Sequence, residues 1–423
     1  MIRIKSTACL AAILTALTVG AVGCEPGGEE SFDLTVDTFN VGLAGAFIPW
    51  EEERRQPIAD ALATLDSDVV CLQEVWRQSD KELIRDAASG AFPHILMYEH
   101  NFQTTIDDPT DQTGAVPEIP TGAPCADPAH QAAVEAAIQC VADNCNTEPG
   151  SLDGMATSTE CAQEACITQV GALLFGDAAA LRCYSCMVLG LPTDPLGDIS
   201  ERCTTTDGAT LAFEGQSGVM VLSRHPLSND QVVVWPGTWN RRILVSATVE
   251  LPNDATVDVY CNHLTPIFDS PAFPYTGDYG EGQVTSRGWE AEQRLQIERL
   301  IEEVETDTGT ERAVVLGDMN CGRASGDIMA EGDANLDHLE TAFTPAVTPS
   351  YSPACTMCPD SPVRGEDTDP VWIDHIFTWN IPADAVTATS RTFVEPLAPV
   401  EGDPSMVPLS DHYGLRSTIT IEP

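Results

Sequence analysis

Several runs of residues in this chain finish on polar side chains at the point where an apolar stretch ends. Asp68 to Val75 is a continuous apolar run ending in Gln73-Glu74, the pattern of a buried strand with polar groups at its carboxyl end. Thr38-Phe39-Asn40, Asn262-His263-Leu264, Gly317-Asp318-Met319-Asn320 and Ser410-Asp411-His412 also stand at strand ends, and Trp372-Ile373-Asp374-His375-Ile376 lies between the last two. Strands that each end this way predict a sheet assembly whose polar ends gather along one edge.

The remaining periodicity fits that expectation. Phe32, Leu34 and Val36 alternate with Asp33, Thr35 and Asp37, as in a half-buried strand. Strand-like runs recur at 219–223, 231–234, 243–251, 256–261, 312–316 and 372–377. Ile58, Leu62 and Leu65 place a helix over Glu51 to Leu65, and Leu295, Ile297, Leu300 and Ile301 place another over Arg287 to Val304. Strands outnumber helices and the pair 243–251/256–261 reads as antiparallel. The predicted class is α/β of the α+β kind: a mixed two-sheet β-sandwich flanked by helices, in α/β/β/α layers.

Residues 103–210 interrupt this rhythm. Eight cysteines fall between Cys125 and Cys203, among Ala-rich stretches of helical pattern. A disulfide-stapled helical insertion is expected, with Cys140/Cys145 and Cys161/Cys166 bridging two antiparallel helices. Cys183-x-x-Cys186 and Cys355-x-x-Cys358 could bind zinc, but neither has a second pair at finger spacing. Cys71 and Cys261 read as buried small hydrophobes in strands. Cys321 is expected to pair with Cys355 or Cys358.

The first residues point to export. Arg3 and Lys5 precede an apolar run from Ala8 to Ala21, which ends in Ala21-Val22-Gly23-Cys24. This is a signal peptide over 1–23 rather than a membrane span. Cys24 after small residues resembles a bacterial lipoprotein site, which would anchor the exported chain at the cell envelope. Residues 24–31 read as a short tether and 32–422 as the folded domain. The formal net charge of −45 repels nucleic acid and anionic membranes at long range.

Taken together and in this order, these motifs resemble the endonuclease/exonuclease/phosphatase superfamily, with its DNase I-like nucleases, neutral sphingomyelinases and inositol phosphate 5-phosphatases. The resemblance spans about residues 32–102 and 211–420. It rests on Asn40, Gln73-Glu74, Ser217-Gly218, Leu222-Ser223-Arg224-His225-Pro226, His263-Leu264, Gly317-Asp318-x-Asn320, Ile373-Asp374-His375-Ile376 and Ser410-Asp411-His412. It implies a DNase I-like fold and a Mg2+-dependent phosphoric diester hydrolase, with Mn2+ or Ca2+ as alternatives.

Phosphate esters are anionic, so a nucleophile approaches against negative charge; a hard divalent ion held by carboxylate and amide oxygens answers this. The resemblance implies Glu74 as the main metal ligand with Asn40 nearby. Asp411 holds a second metal or orients His412. His412 is the expected general base, because imidazole titrates near working pH. Asp374 would accept its other N–H and fix the tautomer, and Asp318 is the alternative base. Asp318 and Asn320 would position the nucleophile, and His263 would donate to a non-bridging phosphoryl oxygen. His225 and His375 are expected to be structural.

Arg224, Arg241, Arg242 and Arg287 stand out in so acidic a chain, since arginine clamps phosphate bidentately. Arg241-Arg242 follows Trp235 and Trp239; this segment either meets a headgroup or base, or packs a hairpin. The expected activity is an exported phosphodiesterase of a phospholipid or small organic phosphate, acting as a monomer. An extracellular DNase I-like endonuclease is the alternative, disfavoured by the charge. A surface scaffold of the same fold without turnover is the reading from another class, and the full set of polar residues argues against it.

Overall fold

The structure is a computed structural model. It describes residues 30–98, 122–145, 161–162, 164–190, 196–205, 211–268, 275, 277, 286–306, 312–348, 355–359, 361–364, 369–399 and 406–423. The expected signal, Cys24 and most of the tether lie outside the described residues.

The chain runs β1 (Phe32–Leu43), α1 (Glu51–Ala63), β2 (Val69–Val75), α2 (Gln78–Ala88), β3 (His94–Met97), then helices α3 (Pro128–Asn144), α4 (Ile167–Leu174), α5 (Ala178–Gly190) and α6 (Leu196–Thr205). It continues through β4 (Met220–Ser223), β5 (Leu227–Trp235), β6 (Arg242–Glu250), β7 (Thr256–His263), α7 (Ser286–Thr306), β8 (Ala313–Asp318) and α8 (Asp333–Ala342). It ends with β9 (Thr344–Pro345), β10 (Asp374–Trp379), β11 (Val386–Thr392), β12 (Ala398–Pro399), β13 (Met406–Val407) and β14 (Gly414–Ile421).

Two six-stranded sheets result, ordered β11-β14-β1-β2-β4-β3 and β5-β6-β7-β8-β10-β9. The alternation in β1 decides which residues face where. Leu34 and Val36 enter the core between the sheets, with Val69, Val245, Val259, Leu316 and Ile419. Phe39 and Val41 belong to the opposite face, where Ile58 and Leu62 of α1 and Ile84 of α2 cover the sheet. On the second sheet, Ile297, Leu300 and Val304 of α7 and Leu336 and Leu339 of α8 pack on Leu244, Tyr260 and Val315. These contacts give the expected four layers, a DNase I-like arrangement. The strands β3 and β11 carry no strong pattern of their own and are made by pairing with neighbours, whereas β14 alternates Leu415, Ile419 and Ile421 with Arg416, Thr418 and Thr420.

Six disulfides form among the described residues. Cys140–Cys166 and Cys145–Cys161 cross-link the helical region as two antiparallel rungs, and Cys125–Cys183 and Cys186–Cys203 close it. These cysteines and Val134, Val170, Leu173 and Ile199 form a core separate from the sandwich. Asp127 caps α3 by accepting from the Ala129 amide, with Pro128 opening the helix.

Two cysteine expectations are corrected, those for Cys71 and Cys261 and for Cys321. Cys71 and Cys261 are bonded to each other, joining β2 of one sheet to β7 of the other. Each looks like an ordinary apolar strand residue in sequence, because only the stacking of the sheets brings them together. Cys355 pairs with Cys358, so neither CxxC pair is a zinc site. Cys321 is buried with a free thiol.

The topology explains where the polar ends go. β1 and β2 are parallel, as are β7 and β8, so the carboxyl-terminal parts of these strands bring Asn40, Glu74, His263 and Asp318 to one edge; the strand expected to end at Asn40 runs on to Leu43. β10 is antiparallel to β8 and β14 to β1. Asp374 opens β10 and His412 precedes β14, so the amino ends of these two strands arrive at that same edge.

Candidate active site

The edge opens into a cavity of about 290 Å³ whose floor includes Glu74, His263, Asp318, Asn320, Asp411 and His412. Asn40 and Asp374 lie just beneath, buried, and touch floor residues directly. All eight residues singled out from sequence therefore meet in one place.

Asn40 ties two carboxylates together. Its amide nitrogen donates to Glu74 Oε1 at 3.2 Å and to Asp318 Oδ2 at 2.9 Å, while its oxygen accepts from the Gly42 amide. As placed, Asn40 orients carboxylates rather than presenting an oxygen to the cavity. Glu74 adopts φ 60° and Asn320 φ 48°. Asparagine tolerates the left-handed region; a glutamate there costs about 1 kcal/mol or more and marks a position the surroundings enforce. Gly42, at φ +58°, admits no side chain, because a Cβ would lie 2.6 Å from Asp411 Oδ1.

His412 Nδ1 lies 2.8 Å from Asp374 Oδ2, and His412 Nε2 lies 3.9 Å from Asp411 Oδ2. His263 Nε2 approaches Asp318 Oδ2 at 3.5 Å and Glu74 Oε1 at 4.0 Å. Asp318 Oδ1 accepts from the Asn320 amide, and the Asn320 side chain donates to the Leu264 carbonyl. Gln293 of α7 braces this turn by donating to the carbonyls of Thr265 and Asn320.

The electrostatics sort these groups. Burial raises the Glu74 pKa, and Asp411 raises it further against the opposing pull of His412 and Asn40. Burial and Asp374 likewise raise Asp318. Burial would lower His412, but Asp374, Asp411 and Asp318 outweigh it and hold its pKa well above the usual imidazole value. His263 is pushed well below that value by burial, then by Arg242 and His412, so it is neutral. Ligand atoms of Asp318, Asp374 and His412 lie within 4.8 Å of one another, all buried. Buried carboxylates crowded this closely, whose charge His412 and Arg242 offset only in part, suit a hard divalent cation.

The walls are apolar. Phe47, Ile48, Trp76, Phe213, Trp239 and Phe268 line the cavity. Trp76 and Phe213 stack with centroids 4.8 Å apart, and Trp239 meets Phe47 and Phe268 edge-on at 5.7 and 5.0 Å. Sequence reasoning missed most of this wall, since its members come from separate loops and share no spacing. Of the tryptophans considered, Trp235 is buried beneath α7, whereas Trp239 faces the cavity. Arg242 also lines the cavity. Arg224 instead bonds Asp66 and the Leu65 carbonyl, and Arg287 is exposed on α7. His225 bonds Asp68 and His375 bonds the Cys321 carbonyl, each a structural role.

The profile of the Endonuclease/Exonuclease/phosphatase family matches residues 38–412. No curated protein matches the chain. Solved structures that resemble it include sphingomyelinase C from Streptomyces griseocarneus, with 14% identity over 92% of this chain and 99% of that one at a TM-score of 0.48. Beta toxin from Staphylococcus aureus is similar at 13% identity, covering 91% and 99%, with a TM-score of 0.49. Truncated TDP2 from Caenorhabditis elegans is similar at 10% identity, covering 92% and 98%, with a TM-score of 0.46.

Proposed function

The chain belongs to the endonuclease/exonuclease/phosphatase family, hydrolases of phosphoester bonds, and on that premise we propose an exported, Mg2+-dependent phosphodiesterase of a diester bearing an apolar group. A phospholipid or a small organic phosphate fits this description. The observation that carries the reading is the shape of one cavity: a floor of carboxylates and imidazoles beneath a wall of Phe47, Trp76, Phe213, Trp239 and Phe268. A polyanionic nucleic acid meets a chain of net charge −45 far less readily. Six disulfides among the described residues suit an oxidising compartment, and Cys24 would carry the lipid anchor.

Glu74 and Asp411 would hold the ion, with Asn40 keeping Glu74 in place. An ion held there would supply charge neutralisation for the phosphoryl oxygens and Lewis acidity toward phosphorus. His412, with Nδ1 on Asp374, presents Nε2 to the cavity; its raised pKa keeps it protonated in the ion-free site, and with a cation offsetting the nearby carboxylates it would lose that proton and take one from the attacking water. Asp318, held by Asn40 and the Asn320 amide, would orient that water and is the second acceptor within reach. Neutral His263 would donate to a non-bridging oxygen.

The test is Mg2+-dependent hydrolysis of bis(p-nitrophenyl) phosphate by wild type and Glu74→Ala. Loss in the variant supports the site; equal rates would remove the metal assignment. A parallel panel of sphingomyelin, double-stranded DNA and inositol phosphates ranks the substrates, and preference for DNA would replace this reading with the nuclease one. Near-normal turnover by His412→Ala with loss in Asp318→Ala would transfer the base to Asp318.

A further inference from the structure

Arg242 opens β6, and the pairing of Leu244 with Asn262 sets it at the edge where His263 ends the neighbouring strand. Its side chain is only 4% exposed yet lines the cavity. The guanidinium lies over the Trp76 ring, 5.6 Å from the centroid. Nη1 is buried without a hydrogen-bond partner. A buried, unpaired donor of this kind costs about 1–3 kcal/mol, more when charged. The Trp76 face and the nearby carboxylates offset the buried charge, but Nη1 itself stays unbonded until an acceptor enters the cavity.

The surroundings favour such an anion. The floor carries Glu74, Asp318 and Asp411, which repel phosphate, so a fixed positive charge is needed beside the metal site. Burial draws the Arg242 pKa down to about 10, against the pull of Glu74, Asp318 and Glu292, so the group stays cationic at neutral pH. Arg364, the other arginine on the wall, already donates through Nη1 to the Met357 carbonyl. The Trp76 ring backs the Arg242 guanidinium as a cation–π partner. Gly218 keeps Trp76 in place, since a Cβ there would come 2.9 Å from the indole.

We propose that Arg242 and the face of Trp76 form a phosphoryl-oxygen subsite, in which the guanidinium donates to a non-bridging oxygen of the bound phosphate. The subsite rests on the phosphodiesterase reading for its substrate, but its anion binding can be measured apart from turnover.

The experiment compares the full chain with its Arg242→Gln and Arg242→Lys variants in Mg2+. Binding of inorganic phosphate is measured by calorimetry, and hydrolysis of bis(p-nitrophenyl) phosphate by steady-state kinetics. Arg242→Gln is expected to weaken phosphate binding by about 10-fold or more and to lower kcat/KM by ~100-fold, with Arg242→Lys between it and wild type. Phosphate affinity unchanged in Arg242→Gln overturns the subsite and leaves Arg242 as a counter-charge to Glu74 and Asp318. If that variant lacks a cooperative melt, Arg242→Lys is decisive alone, and wild-type phosphate affinity in it overturns donation by the guanidinium. Wild type that binds phosphate through Arg242 but hydrolyses no diester would refute the enzymatic reading while keeping the subsite.

Discussion

His412 Nδ1 lies 2.8 Å from Asp374 Oδ2, and this contact joins the two sheets: Asp374 opens β10 of one, and His412 enters β14 of the other. With the imidazole held from one side, its second nitrogen has a single direction in which to act.

That contact predicts a titration. In the ion-free protein, the His412 imidazole should titrate well above its ordinary value near 6.5. Asp374→Asn should bring it down by about one unit or more. A raised folded pKa means that the stability from this group is complete below the unfolded value and disappears as pH rises through the folded one. The stability gap between wild type and Asp374→Asn should therefore narrow on going alkaline. NMR of the ring carbons, with thermal melts across pH, checks both; a wild-type pKa at or below 6.5 would refute it.

Glu74 and Asp411 repel each other across the cavity floor, so a divalent cation should stabilise the native state. Saturating Mg2+ should raise the melting temperature by several degrees, about 2–3 kcal/mol at a hundredfold excess over Kd. Glu74→Gln should lose most of that shift while melting at a similar temperature in chelator. Scanning fluorimetry with and without Mg2+ reads this independently of turnover.

Trp239 stands between Phe47 and Phe268 on the wall. Trp239→Ala should remove about 2 kcal/mol of apolar contact with a bulky ester group, or ~30-fold in kcat/KM. A dimethyl-type phosphodiester, too small to reach the wall, should lose far less. Equal losses on both substrates would take the apolar group away from Trp239.

The Cys71–Cys261 bridge closes a loop with a sequence separation of 190 residues. Replacing both cysteines with alanine should cost about 3–5 kcal/mol of stability, because the unfolded chain regains that loop's freedom. Equilibrium denaturation measures it, and a change under 1 kcal/mol would contradict the cross-link's role.

Cys321 is fully buried, and burial together with Asp318 and Glu331 pushes its thiol pKa well above the ordinary range. Iodoacetamide should leave it unmodified in the native protein and label it once the chain unfolds, as peptide mass spectrometry would show.

Sequence carried the architecture further than the cavity. Alternation in β1 and the continuous apolar run of β2 show which faces are buried, and Ile58 and Leu62 mark the covering helix. β11, whose pattern is weak, becomes legible only beside β14, because a strand's pairing is a property of two segments. Glu74, His263 and Asp318 stood out since each lies at or next to the end of a strand, and Asn40 by the same expectation, although β1 runs on past it to Leu43. Asp374 and His412 stood out by motif, although Asp374 opens its strand and His412 precedes one, rather than either ending a strand.

What the amino-acid order determined by itself was local: residue type, alternation, helix faces and the crowding of cysteines from Cys125 to Cys203. Each is a relation among near neighbours, which periodicity reports directly. What the tertiary structure decided was the company these residues keep. The Cys71–Cys261 bridge, the approach of Asp374 to His412, the unpaired Arg242 over Trp76 and the five-loop aromatic wall depend on sheet stacking and strand register. Those are set by the sum of many weak contacts distant in sequence, and no local pattern encodes them.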